Sequence, residues 1–336
     1  MSVRRRVYFL ISLVVLCLLL CKAPSAFAKE TDPVSEAAAA EPPLNRRIEL
    51  FGSGEIDWPC GVPFEDPGFA AFDSDGQDRS GDVWIEGSPV VWRAGDYTIL
   101  YFFSENDGQL AAARRLVHVV PQSLPETVTP PKGTICLTFD DGPCENTPAL
   151  LDTLAKYNVK ACFFIVANRS SYLDILPRIV SEGHTLGIHC NDHSSYDYLY
   201  KNETRYFTDL LTAQKAVHER TGIYAHVVRF PGGSRTASFL AATMEGGYGE
   251  LYGLLADMGM RAYDWNVQPE SDYRDTAGTL AHFTNPKRPY EYSVVLQHDT
   301  RYYSVAAVEK MICWALEKGY TFAALDETFP DIHFQE

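Results

Sequence analysis

Positive charge is scarce in this sequence: 29 lysines and arginines stand against 44 acids, a formal charge of −15. A surface of that sign repels phosphate backbones, so nucleic acid is excluded as a partner. A sugar polymer, held by hydrogen bonds and aromatic stacking, is not. The eight cysteines contain no CxxC pair and no zinc-knuckle array, which argues against a disulfide scaffold and against a cysteine metal site. Cys136, Cys162 and Cys313 sit in apolar runs and read as buried thiols. There is no internal repeat, and no glycine-rich dinucleotide fingerprint follows a strand-like segment. Also missing is an apolar run of the roughly 20 residues a membrane-spanning helix needs. The apolar run from Val7 to Cys21 follows Arg4 to Arg6 and precedes Ala23-Pro-Ser-Ala-Phe-Ala28, the order of an export leader with a small-x-small cleavage site. An uncleaved anchor that draws in flanking residues is the alternative. A lipoprotein reading of Leu18-Leu-Leu-Cys21 is weakened by Leu20, where a small residue is expected. Residues 1–28 are an address rather than a fold, and six cysteines remain beyond them. Four cations and no acid leave with them, so −15 less four positive charges gives −19.

What is present is an ordinary globular composition, 46% hydrophobic and 22% charged over 336 residues, enough for one large domain and a smaller one. Residues 29–47, with four consecutive alanines and three prolines, read as a spacer. Over 48–121 short apolar segments, Ile48-Glu-Leu-Phe51, Val83-Trp-Ile85, Tyr97 to Phe102 and Arg115 to Val120, are separated by turn formers, which predicts a small β-sandwich. The order Phe64-Glu-Asp-Pro-Gly68, Gly95-Asp-Tyr-Thr98, Asn106-Asp-Gly108 and Arg115-Leu-Val-His-Val119 resembles the bacterial immunoglobulin-like modules of surface proteins. Its one histidine, His118, lies inside a strand, so this module is expected to supply no catalytic group, and a chain starting near Pro125 is expected to keep turnover on small soluble substrates. A proline-rich linker over 122–131 closes the region.

From 132 to 336 the pattern alternates. Strands are expected at Thr134–Phe139, Ala161–Val166, Thr185–His189, His226–Phe230, Arg261–Trp265, Ser293–Gln297 and Thr321–Ala324, with room for a helix between each pair. Phe207, Leu210, Ala213 and Val217 recur three or four apart, an amphipathic helix over Arg205–Arg220. Alternation of this kind is α/β with parallel strands, and seven of them suit an incomplete (β/α)7 barrel. The reactive residues fall at strand ends: Asp140 and Asp141 after the first, His189 and His193 at the third, Arg229 at the fourth, Asp264 at the fifth, His298 at the sixth. In a parallel barrel those ends open on one face, so residues far apart in sequence converge there.

Two histidines four apart with a nearby carboxylate can make a facial set that leaves water positions open on a divalent metal. Such a set suits Zn²⁺ first, with Co²⁺, Mn²⁺ or Ni²⁺ able to occupy it. Amide hydrolysis needs a base for water, an acid for the departing amine and support for the oxyanion. A second aspartate and a separate histidine can fill the first two roles, with Arg229 beside the basic aspartate and Asp264 orienting His298. Spacing alone leaves open which aspartate holds the metal.

Thr138-Phe-Asp-Asp-Gly-Pro143, His189-x-x-x-His193, Arg229-Phe-Pro-Gly-Gly-Ser234, Asp264-Trp265 and Leu296-Gln-His298 resemble, in order and spacing, the five motifs of NodB-like polysaccharide deacetylases, carbohydrate esterase family 4. The resemblance runs from about Gly133 to Leu325 and implies a distorted (β/α)7 barrel. It also implies Asp140 as general base, Asp141, His189 and His193 as metal ligands, and His298 as general acid. Arg229 would brace Asp140 and Asp264 would tune His298. A backbone N–H near Gly232, after Pro231, would hold the oxyanion together with the metal, and Trp265 and Leu296 would wall the acetyl pocket. Cys190, Gly232 and Gln297 depart from the usual pattern without removing a ligand or a proton carrier. The Phe230-Pro-Gly-Gly-Ser234 form and the Tyr196-x-Tyr-x-Tyr200 run look like the Gram-positive peptidoglycan deacetylases.

The expectation is an exported, secreted or surface-held enzyme that removes N-acetyl groups from a cell-wall glycan, above all N-acetylglucosamine of peptidoglycan. The alternatives are chitin, xylan, N-acetylmuramic acid or an exopolysaccharide as substrate, a catalytically inactive glycan-binding module, or a structural surface protein built around the sandwich. Membrane contact is expected only through an uncleaved N-terminus, and oligomeric state has no signature in the sequence.

Overall fold

The computed structural model describes residues 46–334 apart from 106–108, 243, 245, 271–273 and 286–290. The leader at 1–28, most of the 29–47 spacer and the Asn106-Asp-Gly108 turn lie outside the described residues. Among those described, no helix is long and apolar enough to cross a membrane, and the six cysteines are all free.

The first layer is all-β. β1 (Arg47–Leu50) pairs antiparallel with β3 (Phe69–Phe72), and a second sheet runs in the order β2 (Glu55–Pro59), β6 (Leu110–Val120), β5 (Gly95–Ser104), β4 (Trp84–Glu86). β2 lies parallel to β6, and the other pairs are antiparallel. Alternation sends Ile99, Tyr101 and Phe103 of β5, and Val117 and Val119 of β6, into the core. Arg115 follows the same inward phase and is fully buried, which is tolerable because its guanidinium donates to the carbonyls of Phe51, Ser53 and Gly68 and faces Asp66. The Phe64–Gly68 and Arg115–Val119 motifs are thus two halves of one anchoring contact. β2 and β3 escaped the sequence reading, β2 because charged and apolar residues share five positions.

The second layer is a parallel barrel: β7 (Thr134–Asp140), β8 (Cys162–Val166), β9 (Thr185–Cys190), β10 (Val227–Val228), β11 (Arg261–Ala262), β12 (Tyr292–His298) and β13 (Thr321–Phe322). The order is β11-β10-β9-β8-β7-β12, with β13 on the first two residues of β7. Past β11 the chain meets β12 at a single bridge, Val267 with Val295, which makes the ring a distorted one. β7 and β8 are buried along their whole length, as strands covered on both faces must be. Three strands, β10, β11 and β13, are cut to two residues each. After Val228 the ladder runs one residue further, Arg229 N–H to Ile188 O at 3.0 Å, and Pro231, with no N–H, precedes the turn into the helix Gly233–Ala241.

The sandwich and the barrel belong to one compact unit. Trp92 stacks on Phe207 at 5.8 Å and donates to Glu203, while Arg93 bridges Glu203 and Glu250. The 122–131 segment is stitched down as well: Gln122 N–H donates to Asp257 O, Val128 N–H to Thr328 O, and Arg261 to Pro125 O.

Candidate active site

The adjacent aspartates diverge because the backbone changes hand between them. Asp140 is the last residue of β7, whereas Asp141 has φ 70°, a left-handed conformation uncommon for any residue but glycine. Gly142 follows, and a Cβ there would lie 2.1 Å from an oxygen of Asp299, so only glycine lets this loop seat itself. As a result Asp140 meets Arg229, and Asp141 faces the histidines.

Asp141 Oδ1 lies 3.6 Å from both His189 Nε2 and His193 Nε2, and the three donor atoms sit within 4.8 Å of one another. His189 Nδ1–H donates to Arg229 O at 2.7 Å, which leaves Nε2 as a lone pair aimed at the cluster. Burial drives the pKa of His189 down, favouring the neutral form. For Asp141 burial pushes the other way, but the charges of His189, His298 and His193 outweigh it and the carboxyl is lowered. Asp141 Oδ1 is buried without a hydrogen-bond partner. A buried acceptor between two imidazole lone pairs is a donor set that fits a divalent cation. The loop that carries His193 is held by Asp209 of the helix Glu203–Thr221, which accepts from the N–H groups of Asn191 and Asp192.

Beside the cluster, the fully buried Arg229 donates to Asp140 Oδ1 at 2.8 Å, to Thr138 Oγ1, and to the carbonyls of Tyr263 and Asp264. Its guanidinium plane lies 4.2 Å from the centroid of Phe164. Across the cavity His298 Nε2 comes within 3.8 Å of Asp141. Its Nδ1–H donates to Glu270 at 2.8 Å, and Glu270 also accepts from His298 N–H and from Arg301. Burial alone would lower the pKa of His298, but the Glu270 hydrogen bond and the charges of Asp140, Glu270 and Asp141 raise it.

This corrects the expectation for Asp264. Its carboxylate accepts from Ser234 N–H, from the Ser234 hydroxyl and from Phe334 N–H, so it is spent on capping the helix Gly233–Ala241, and the carboxylate bonded to His298 is that of Glu270. Glu270, which the sequence reading missed, holds that imidazole. It sits in the irregular stretch after Val267, where no periodicity or spacing singles it out.

Asp140, Asp141, His189, His193 and His298 line one cavity of about 400 Å³, whose walls include Tyr196, Phe230, Gly232, Trp265 and Leu296. Pro231 lies behind that wall, buried, its carbonyl accepting from the Tyr200 hydroxyl. Gly232, at φ 79°, reaches the rim as the N-cap of the Gly233–Ala241 helix. Cys190 points into the core, its thiol pKa raised by burial.

Two family models match the chain. "Polysaccharide deacetylase" covers residues 127–251, and "Bacterial surface protein, Ig-like domain" covers 48–119. A peptidoglycan-N-acetylglucosamine deacetylase of Bacillus cereus is 33% identical over 201 residues, 57% of this chain and 68% of that protein. The peptidoglycan-N-acetylglucosamine deacetylase PgdA of Listeria monocytogenes is 32% identical over 206 residues, 58% of this chain but 38% of that protein. Among solved structures, the catalytic domain of a peptidoglycan N-acetylglucosamine deacetylase from Eubacterium rectale superposes with TM-score 0.58 at 34% identity, over 63% of this chain and 96% of that one.

Proposed function

The chain belongs to the polysaccharide deacetylase family, hydrolases that act on amides, and from that premise we propose that it removes the acetyl group from N-acetylglucosamine units of cell-wall peptidoglycan with a divalent metal held by Asp141, His189 and His193. The metal, Zn²⁺ first among the candidates, would supply Lewis acidity, making water nucleophilic near neutral pH and polarising the acetamide carbonyl.

The protein's own groups do the rest. Asp140, its direction set by Arg229, takes a proton from water as the water oxygen bonds to the acetamide carbon. Arg229 cannot swing away, since four hydrogen bonds and the Phe164 face fix it. His298, kept protonated by Glu270, passes its proton to the sugar nitrogen as the carbon–nitrogen bond breaks, leaving acetate and a free amine. The N–H at the Gly232 rim supports the developing oxyanion, while Trp265 and Leu296 wall the acetyl methyl. Asp264 acts through structure: it ties the cap of the Gly233–Ala241 helix and, through its carbonyl, Arg229.

The observation that carries this reading is the pairing, in one cavity, of a carboxylate–arginine couple and an imidazole–carboxylate couple on either side of a three-donor cluster. A peptidoglycan substrate is supported by the relatives above, and an extracellular, wall-facing location by the immunoglobulin-like module. The test is acetate release from purified sacculi and from N-acetylglucosamine oligomers. Exhaustive chelation should abolish release, and added Zn²⁺ or Co²⁺ should restore it. Full activity after confirmed metal loss would refute the mechanism.

A further inference from the structure

Arg301, the cation behind Glu270, faces two ways. It lines the catalytic cavity and also a second, polar cavity of about 450 Å³, whose other walls are Gln268, Glu270, Arg274 and Tyr303. Gln268 lines both as well, so the two spaces share a wall. The one acid among the described residues of the second cavity is already engaged, since Glu270 accepts from His298 twice and from Arg301. Arg301 spends only Nη1 on that bond, and its side chain is 40% exposed. Arg274 is exposed and has no ion pair among the described residues. The adjoining Asp275 is turned to the helix it caps, accepting from Gly278 N–H. Gln268 Oε1 accepts from the Trp265 indole N–H at 2.9 Å. An indole can only donate, so the amide NH₂ of Gln268 is left as a donor. Two arginines and an amide donor thus converge beside the reacting site of a protein whose net charge is −15. Like charges side by side are unfavourable until an anion lies between them, and the arginine fork suits a carboxylate.

We propose that this cavity is a subsite for a carboxylate carried by the glycan next to the acetamido group being hydrolysed, so that the enzyme selects acidic wall strands over neutral polymers. The inference rests on the deacetylase reading above. The carboxylate has two sources in a wall strand, the lactyl group of the adjoining sugar and the peptide attached to it.

The test uses the full chain and its Arg274→Gln and Arg274→Lys variants at low ionic strength. The substrates are peptide-free strands with free lactyl carboxylates, peptide-bearing strands, both again with their carboxylates amidated, and neutral N-acetylglucosamine oligomers. The expected KM is about fivefold lower for acidic strands than for their amidated forms, the size of a partly exposed ion pair. Added salt should shrink that gap. Arg274→Gln should erase it, Arg274→Lys should keep part of it, and kcat on the neutral oligomer should not change in either. A preference confined to peptide-free strands assigns the lactyl carboxylate, and one confined to peptide-bearing strands assigns the peptide. Equal KM for acidic and amidated strands in the parent protein, or a preference that survives Arg274→Gln, overturns the subsite while leaving the deacetylase reading intact. Acetate release from none of the substrates overturns that reading instead.

Discussion

Replacing Glu270 with glutamine changes one oxygen to NH₂ and nothing in size, yet it removes the only carboxylate on His298 Nδ1. The side chain is 1% exposed, so water cannot take over its role. Two effects follow. The lost charge-assisted hydrogen bond costs about 1.5–3 kcal/mol of stability. Its pH dependence has a definite sign. His298 has a raised pKa in the folded protein, so its share of the stability is full below its ordinary 6.5 and disappears as pH rises through the raised value. Glu270 has a lowered pKa, so its share is present above its ordinary 4.5 and is lost on acidification. The penalty of Glu270→Gln should therefore peak between those limits and fade on both sides. The second effect is on chemistry. An imidazole that no longer holds its proton near neutrality is a poor acid for the departing amine, and general acid catalysis is worth about 10²- to 10⁴-fold. The expected kcat loss is about 10²-fold, with the alkaline limb of the rate profile displaced to lower pH. The assay is acetate release against pH on a soluble N-acetylglucosamine oligomer, with metal content measured beside it. Asp264→Asn serves as the contrast: it loosens the cap at Ser234, lowering Tm, and leaves the position of the alkaline limb unchanged. An unshifted profile for Glu270→Gln together with a shifted one for Asp264→Asn would refute the assignment.

The two neighbouring aspartates should separate in the same way: Asp141→Asn loses metal affinity and activity together, while Asp140→Asn keeps the metal and loses about 10²- to 10⁴-fold in turnover, and metal analysis showing the reverse pattern would exchange their roles. Trp92→Ala should cost about 2 kcal/mol by uncovering Phe207 and, because the helix beneath carries Asp209, should also weaken metal retention; denaturant melts and metal dissociation rates check both, and a chain begun near Pro125, which lacks Trp92 and Arg93, should be less stable than the full chain. His184, whose Nδ1 accepts from Ala161 N–H, has its pKa driven by burial from 6.5 to about 4. Stability should therefore be full above pH 6.5 and fall by about 3 kcal/mol as pH drops to 4. Urea titrations across that range should show His184→Asn with a flatter profile, and equal slopes would count against the assignment.

Much of this protein is legible in one dimension. Seven buried apolar segments spaced by helix-length intervals already state a parallel barrel, because a strand covered on both faces has to be apolar along its length. Their C-terminal ends already collect Asp140, Asp141, His189, His193, Arg229 and His298, since parallel strands bring those ends to one mouth. The sequence also placed the sandwich, through its turn residues and alternating phase. What it could not determine is direction. Whether Asp140 or Asp141 faces the histidines depends on a backbone torsion, φ 70° at Asp141, and no residue type encodes that sign change without the packing of the next residue, Gly142, against the distant Asp299. Asp264 stands at a strand end and looks like the partner of His298, but its carboxylate is consumed by the nearest N–H groups, those of Ser234 and Phe334. Glu270 wins the imidazole because the irregular chain after Val267 folds back over β12, a path that obeys no period. The same holds for the joint between the domains. Proline spacing marks a boundary near 121, and only the tertiary structure decides that Trp92 and Arg93 cross it to grip the helix behind the loop that carries His193.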